Sequence, residues 1–169
     1  MTEFNLRHIP TLKHKRIILV GPSATGKNFI RQKFVDKGFI ADVSYTSRIP
    51  REGEIDGIDY RFISKDDFKQ MINDNLFYEW VQYGDNYYGT GLFEWEHSDI
   101  FIMETDGVSK ILPIHRPDCL VIFVNTPEKV RLKRMHERKW DDNKIMDRIR
   151  IDRNNFGEFI DFDLQISSE

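Results

Sequence analysis

Cysteine is almost missing from this chain: Cys119 stands alone among 169 residues. An internal disulfide is thereby excluded, and one thiol cannot by itself build a zinc site. Its surroundings, Cys119-Leu120-Val121-Ile122-Phe123-Val124, read as a buried strand, and a reduced, cytoplasmic setting fits the sparing use of cysteine. Long apolar runs are missing too. No stretch approaches the roughly 18 residues of a membrane-crossing helix, so no membrane partner is expected. Met1 to His14 has neither the apolar centre nor the cleavage site of a secretory leader and reads as a loosely held arm. An excess of one charge is also lacking. The formal net charge is −3, which gives no global argument for a nucleic-acid partner, so any basic function must be local. The five histidines (His8, His14, His97, His115 and His136) are scattered. None has a cysteine or carboxylate at ligand spacing, which points to surface or packing roles. There is no internal repeat, low-complexity segment or flexible linker. What remains, 40% hydrophobic and 31% charged residues, is the composition of a globular domain. The length suits a single domain spanning residues 1–169.

The apolar residues that are present fall into short runs. Ile17 to Val20, Ile100 to Met103 and Leu120 to Val124 are rich in Ile, Val, Leu or Phe, as buried parallel strands are. Helical patterns alternate with them. Asn28 to Lys37 carries Phe29, Ile30 and Phe34 at helical spacing, with Gly38 as a stop. Thr126-Pro127-Glu128 reads as a cap, a first-turn proline and a favourable acidic residue. Strands alternating with helices imply an α/β domain with a mostly parallel sheet. The middle of the chain breaks that rhythm: Ile58 to Ile63 and Phe77 to Tyr83 alternate like half-buried strands. Between them Ser64 and Asp67 form a capping-box pattern opening a helix, and Gly84-Asp85-Asn86 makes a turn. A small mixed lobe over about Ser44 to Phe93 is expected from this order.

The most informative stretch is Gly21-Pro22-Ser23-Ala24-Thr25-Gly26-Lys27, placed between a buried strand and a helix. That context makes the G-x-x-x-x-G-K spacing a phosphate-binding loop, in which successive backbone N–H groups curl around a phosphate and the lysine adds a point charge. Asn28 follows where a Ser or Thr usually places its hydroxyl on Mg²⁺. An amide oxygen ligates Mg²⁺ as well, but it is longer than a hydroxyl and would shift the ion or insert a water.

Three further clusters carry chemistry. In Ser44 to Tyr60, Arg48 and Arg51 flank a proline; two guanidinium forks on a stiff loop suit a dianionic phosphate, with Ser44 and Tyr60 adding hydroxyls. A solvated charged loop is the competing reading. Glu79-Trp80, followed by Asn86-Tyr87-Tyr88-Gly89-Thr90, puts a carboxylate among aromatics, able to accept the adjacent N–H groups of guanine. Aromatics packed across a hairpin with an exposed glutamate are the alternative there. The third cluster is a basic stretch from Lys129 through Arg131, Lys133, Arg134, Arg138, Lys139, Lys144, Arg148, Arg150 and Arg153, balanced by Glu137, Asp141, Asp142 and Asp147 as solvated helix faces are.

Taken together, GPSATGK, SYTSRIPREGEIDGIDYRF, FYEWVQYGDNYYGT and the later acidic strand end resemble guanylate kinase over about Arg16 to Ile166. The resemblance implies a P-loop NTPase-type three-layer α/β domain. Its core would cover about 15–43 and 94–166, its GMP-binding lobe about 44–93 and its helical lid about 134–148. It also implies transfer of a phosphoryl group from ATP to GMP or dGMP with Mg²⁺, in a monomer or homodimer. Gly21 to Asn28 would bind ATP. Ser44, Arg48, Arg51, Tyr60 and Tyr88 match positions that hold the acceptor phosphate; Glu79, Thr90 and Asp106 match positions near guanine. Arg134 and Arg138 match lid arginines, Arg148 matches one on the next helix, and Arg131, Arg150 and Arg153 have weaker claims. Lys27, Arg48, Arg134, Arg138 and Arg148 form the expected catalytic set, and Glu104 is expected near the metal's water shell or Lys27. Ala24 stands where the family often has glycine, a swap that calls for a negative φ. The family generally continues into a further helix past the region of Ile166, which this sequence lacks. A monophosphate kinase of broader specificity, or a guanylate-kinase-like interaction module, would carry much of the same pattern.

Overall fold

The computed structural model describes residues 16–167; the expected N-terminal arm, with His8 and His14, lies outside the described residues. The three apolar runs form strands β1 (Arg16–Val20), β6 (Ile100–Ile102) and β7 (Cys119–Val124). With β8 (Leu164–Ile166) they make a four-stranded sheet in the order β6-β1-β7-β8, every pair parallel. The two-residue period of β1 sorts its side chains. Ile17 and Leu19 pack with Ile30 and Phe34 of helix α1 (Lys27–Val35) on one face. Ile18 and Val20 pack with Trp95, Phe101, Val108 and Phe156 on the other. Helices α3 (Leu92–His97), α4 (Thr105–Ser109) and α6 (Asp142–Phe156) supply Trp95, Val108 and Phe156 to that second face, so the sheet is covered on both sides. Helix α5 (Glu128–Glu137) follows β7. Cys119 is fully buried, and burial pushes its thiol up to about 11, which keeps it an inert core group.

The aromatic middle of the chain forms a second sheet, order β3-β2-β5-β4, from β2 (Tyr45–Thr46), β3 (Arg61–Phe62), β4 (Phe77–Tyr83) and β5 (Asn86–Gly91). Its β4–β5 hairpin closes through Gly84-Asp85, with Gly84 at φ 57. Helix α2 (Lys65–Asn73) begins as its sequence indicates: Ser64 Oγ accepts the Asp67 N–H at 3.0 Å. Its Phe68 is fully buried, with Phe77 and Tyr87 stacked at centroid distances of 4.4 and 5.4 Å. The backbone of Asp42, at the end of the segment joining the two sheets, donates to Ile100 O at 2.9 Å.

Two local expectations are corrected. The strand expected over Ile58 to Ile63 is only Arg61–Phe62, because Ile55 to Tyr60 folds as a turn: Asp59 Oδ2 accepts the Ile55 N–H at 2.8 Å, and Gly57, at φ 76, donates to Tyr60 O at 2.8 Å. Thr126 does not cap α5. Pro127 occupies the N-cap, and the Thr126 hydroxyl instead donates to Thr25 O at 3.1 Å, tying the end of β7 to the loop after β1.

Candidate active site

The loop after β1 is shaped by close approach. A Cβ on Gly21 would lie 2.4 Å from Val124 O, so only glycine lets β1 turn beside β7. Gly26 sits at φ 94 as the N-cap of α1. Ala24 departs from expectation: its φ is 61, not negative. The left-handed backbone costs an L-residue about 1 kcal/mol, and the methyl offsets this by packing in the buried cluster of Met135, Ile145 and Ile149. The Thr25 hydroxyl donates to Pro22 O at 2.9 Å. Lys27 Nζ donates to Gly21 O and, at 2.9 Å, to Pro22 O. Burial lowers the Lys27 ammonium to about 8, with Glu104 pulling the other way.

Beneath the loop lies a network that spacing did not reveal. Asp152 of α6, 1% exposed, accepts the Ser23 N–H at 2.9 Å and pairs with Arg131 Nη1 of α5 at 2.8 Å. Arg131, expected to carry a weak claim on a basic helix face, is buried. Arg148, one turn before Asp152, lies 3.3 Å from Asp152 Oδ1 and 3.6 Å from Glu104 Oε1, and its Nε donates to Ser23 Oγ. Arg134 Nη1 donates to Ala24 O at 3.2 Å.

The second sheet faces this loop across a cleft lined by Ser23 to Asn28 on one side and Ser44, Arg48, Arg51, Tyr60, Glu79 and Tyr88 on the other, with Glu104, Arg138 and Arg148 between them. Arg48 is aimed by a bidentate pair to Glu54, both bonds 2.9 Å. Its guanidinium lies 5.6 Å from the Tyr60 ring, and burial pushes the Tyr60 phenol up to about 12. Tyr88 meets Tyr60 edge-on, with centroids 6.2 Å apart. Ser44 Oγ donates to Asp42 Oδ2. Glu79 is not the exposed strand glutamate of the competing reading. It is buried, accepts the Thr90 hydroxyl at 2.9 Å, and its Oε2 lies so near Gly107 that a Cβ there would be 3.1 Å away. Burial raises its carboxyl above the ordinary range.

Most of the residues singled out by sequence therefore converge. Gly21, Pro22, Thr90 and Arg134 lie outside the cleft lining but adjoin it: the first two open the loop, Thr90 donates to Glu79, and Arg134 donates to Ala24 O. Asp106 does not join them: it is exposed in the first turn of α4 and outside the cleft lining. Sequence reasoning missed Asp42, Glu54, Tyr83, Trp140 and Asp152. Of these, Glu54 alone had a local signal, lying three residues from Arg51 in the arginine loop, whose backbone N–H it accepts at 2.7 Å. Among the described residues no group of three or more His, Cys, Asp or Glu is arranged to hold a metal ion, and no helix is long and apolar enough to cross a membrane.

A strand, a glycine-bounded phosphate loop and a helix at the carboxyl end of a parallel sheet, facing an arginine-bearing wall across one cleft, define a P-loop α/β protein. Comparison with known proteins narrows the class. The family model described as guanylate kinase matches residues 13–169. Curated proteins named guanylate kinase are similar in sequence. That of Bacillus subtilis (strain 168) is 40% identical over 126 residues, 69% of this chain and 61% of its own. That of Prochlorococcus marinus (strain MIT 9312) is 38% identical over 128 residues, 71% of this chain and 69% of its own. The Latilactobacillus sakei protein is 36% identical over 142 residues, 78% of this chain and 70% of its own. A solved guanylate kinase from Anaplasma phagocytophilum shares the fold, with a TM-score of 0.72 at 20% identity over 92% of this chain and 77% of that one. The chain belongs to the guanylate kinase family.

Two outcomes follow from this geometry. Asp152→Ala leaves Arg131 buried without its carboxylate and is expected to lower the unfolding free energy from urea denaturation by about 3–5 kcal/mol; a loss under about 1 kcal/mol would deny the pair its structural role. Burial pushes the Asp42 carboxyl up to about 7, against the Ser44 hydrogen bond. A raised folded value means that Asp42 contributes stability fully below about pH 4 and loses it as pH rises through about 7. The Tm of Asp42→Asn should therefore gain on wild type between pH 5 and pH 8; an equal difference at both would contradict the assignment.

Proposed function

We propose that the chain transfers the γ-phosphoryl group of ATP to GMP or dGMP, giving ADP and GDP or dGDP. The observation that carries this reading is the buried Glu79 carboxylate, held by Thr90 in a cleft that faces the Lys27 loop. Guanine presents two adjacent N–H donors to a carboxylate, and adenine does not. A carboxylate whose burial already disfavours its charge gains most from a ligand that supplies those donors.

The remaining roles follow from the chemistry of phosphoryl transfer, which asks for positioning and charge neutralisation rather than a covalent intermediate. The loop from Gly21 to Lys27 holds the ATP phosphates through the backbone N–H groups of its Ala24 to Lys27 turn and through the Lys27 ammonium. Arg48 and Arg51, with Ser44, Tyr60 and Tyr88, hold the acceptor phosphate, whose oxygen needs no general base. Arg148, Arg138 and Arg134 offset charge spreading over the transferred group. Residues of about 44–93 form the acceptor lobe on a core of about 15–43 and 94–166, and a lid of about 134–148 closes over the substrates to exclude water. A cytoplasmic setting goes with this reading.

The residues present fit a hard divalent cation: Asn28 lines the cleft, and Glu104 Oε2 is buried without a hydrogen-bond partner at the carboxyl end of β6. Asn28 and Glu104, both oxygen donors, would hold Mg²⁺ through its water shell. When bound, the ion would supply neutralisation of phosphate charge.

Two substitutions test the reading. Glu79→Gln converts an acceptor-only group into one that also donates, so the GMP-over-AMP ratio of kcat/KM should fall by about tenfold or more with the ATP KM little changed; an unchanged ratio would remove Glu79 from base selection. Asn28→Ser restores a short hydroxyl, and turnover at limiting Mg²⁺ should hold or rise. A clear drop would show that Asn28 is more than a poorer substitute for the hydroxyl.

A further inference from the structure

Trp140 was not singled out by sequence, yet it joins the two walls of the cleft. It lies in the connection between α5 and α6, is half-buried, and lines the cleft. The end of α5 places it there. Arg138 caps the helix, Lys139 turns the backbone to φ 57, the Lys139 N–H donates to His136 O at 2.8 Å, and the Trp140 N–H donates to Met135 O at 3.2 Å. This pair of bonds is a Schellman motif, and its usual partner contact is present: Trp140 packs against the buried cluster that contains Met135. Glycine is the common residue at the left-handed position; a lysine there strains the backbone. Backbone strain retained at a cleft marks a position worth testing for function.

Across the cleft, the Arg51 guanidinium carbon lies 5.4 Å from the centroid of the Trp140 ring. The backbone N–H of Arg51 is held by Glu54, but its guanidinium makes no hydrogen bond or ion pair among the described residues, in contrast to Arg48, which Glu54 grips with two bonds. The indole is thus the contact that fixes the Arg51 head group. A cation over an indole face is stabilised while its N–H edges stay free. An arginine held this way keeps its hydrogen-bonding fork for an incoming phosphate. Lys144 lies 4.7 Å from the same ring centroid and adds a second cation from α6.

We propose that Trp140 is a positioning residue for acceptor binding: the turn after α5 holds its indole against Arg51, so that the lid side of the cleft orients the guanidinium that receives the acceptor's phosphate. The inference rests on the reading of Arg51 as an acceptor-phosphate ligand. It makes the lid a participant in monophosphate binding as well as a cover over the donor.

A double-mutant cycle on the purified protein, in steady-state turnover of ATP and GMP with Mg²⁺, tests it. Trp140→Leu is expected to raise the GMP KM by about three- to tenfold, as loss of a partly exposed cation–π contact implies, with kcat and the ATP KM within about twofold of wild type. Trp140→Phe, which keeps an aromatic face, is expected to recover most of that loss. In an Arg51→Gln background the Trp140→Leu step should cost little further. A full Trp140→Leu effect in that background, a loss in Trp140→Phe as large as in Trp140→Leu, or an effect confined to the ATP KM would each overturn the inference. Thermal melts of every variant separate a folding defect from a binding one: a Trp140→Leu loss that disappears when assayed well below its Tm would also overturn it. Wild-type protein that turns over GMP while the cycle shows no coupling defeats this inference alone; wild-type protein that neither binds nor turns over GMP defeats the reading beneath it.

Discussion

The ion pair between Arg131 and Asp152, sealed under the phosphate loop at 2.8 Å, is the contact on which the rest of the cleft depends. Two charges out of water require each other, and each also needs its remaining hydrogen-bonding capacity used. Asp152 uses its own on the Ser23 N–H and on Arg148, while Arg131 reaches Ser23 O at 3.4 Å and keeps its Nε buried without a partner among the described residues, which makes it the more dependent on Asp152. Helices α5 and α6 are thereby fastened to the loop between β1 and α1. The same fastening brings Met135, Ile145 and Ile149 around the Ala24 methyl, which is how an alanine persists at a backbone angle that favours glycine.

Charge is then distributed in a graded way. Next to the loop, Lys27, Arg148 and Glu104 balance one another closely, and burial lowers the lysine to about 8. On the facing sheet, Arg48 is neutralised by Glu54, whereas Arg51 is met by an aromatic face. Deeper in the second sheet, Glu79 is held by the Thr90 hydroxyl, with Gly107 leaving room beside it. Polar groups of complementary kinds are thus spaced from the loop to Glu79: cations near the loop and along the facing wall, and a buried carboxylate deeper in the second sheet.

Much of this was legible in the sequence because its causes are local. The loop, the Ser64 cap and the Gly84-Asp85 turn each depend on residues within a few positions of one another, and the apolar runs of β1, β6 and β7 show their burial directly. Glu79 and the arginine loop gained their meaning from a resemblance spread over most of the chain. What stayed hidden depends on distance along the chain. Asp152 meets Ser23 across 129 positions, and Thr126 meets Thr25 across 101, so neither partner could be paired by spacing. Thr126 had the residue type of a helix cap but was drawn to a loop carbonyl instead. Intrinsic preference calls for a negative φ at Ala24, and tertiary packing overrides it. Asp106 carried a family position, yet its side of α4 turns to solvent. Trp140 had no sequence signal at all, since its role arises from a left-handed turn at a lysine.

The central claim is that the cleft joins a nucleoside triphosphate to a guanine monophosphate. It is tested most directly by ADP release from ATP with Mg²⁺, measured for the purified chain against GMP, dGMP, AMP, UMP and dTMP in turn. The account predicts rapid release with GMP or dGMP and release near background with the other three. Folded protein that releases no ADP with either guanine nucleotide, or that uses AMP as readily as GMP, would contradict it.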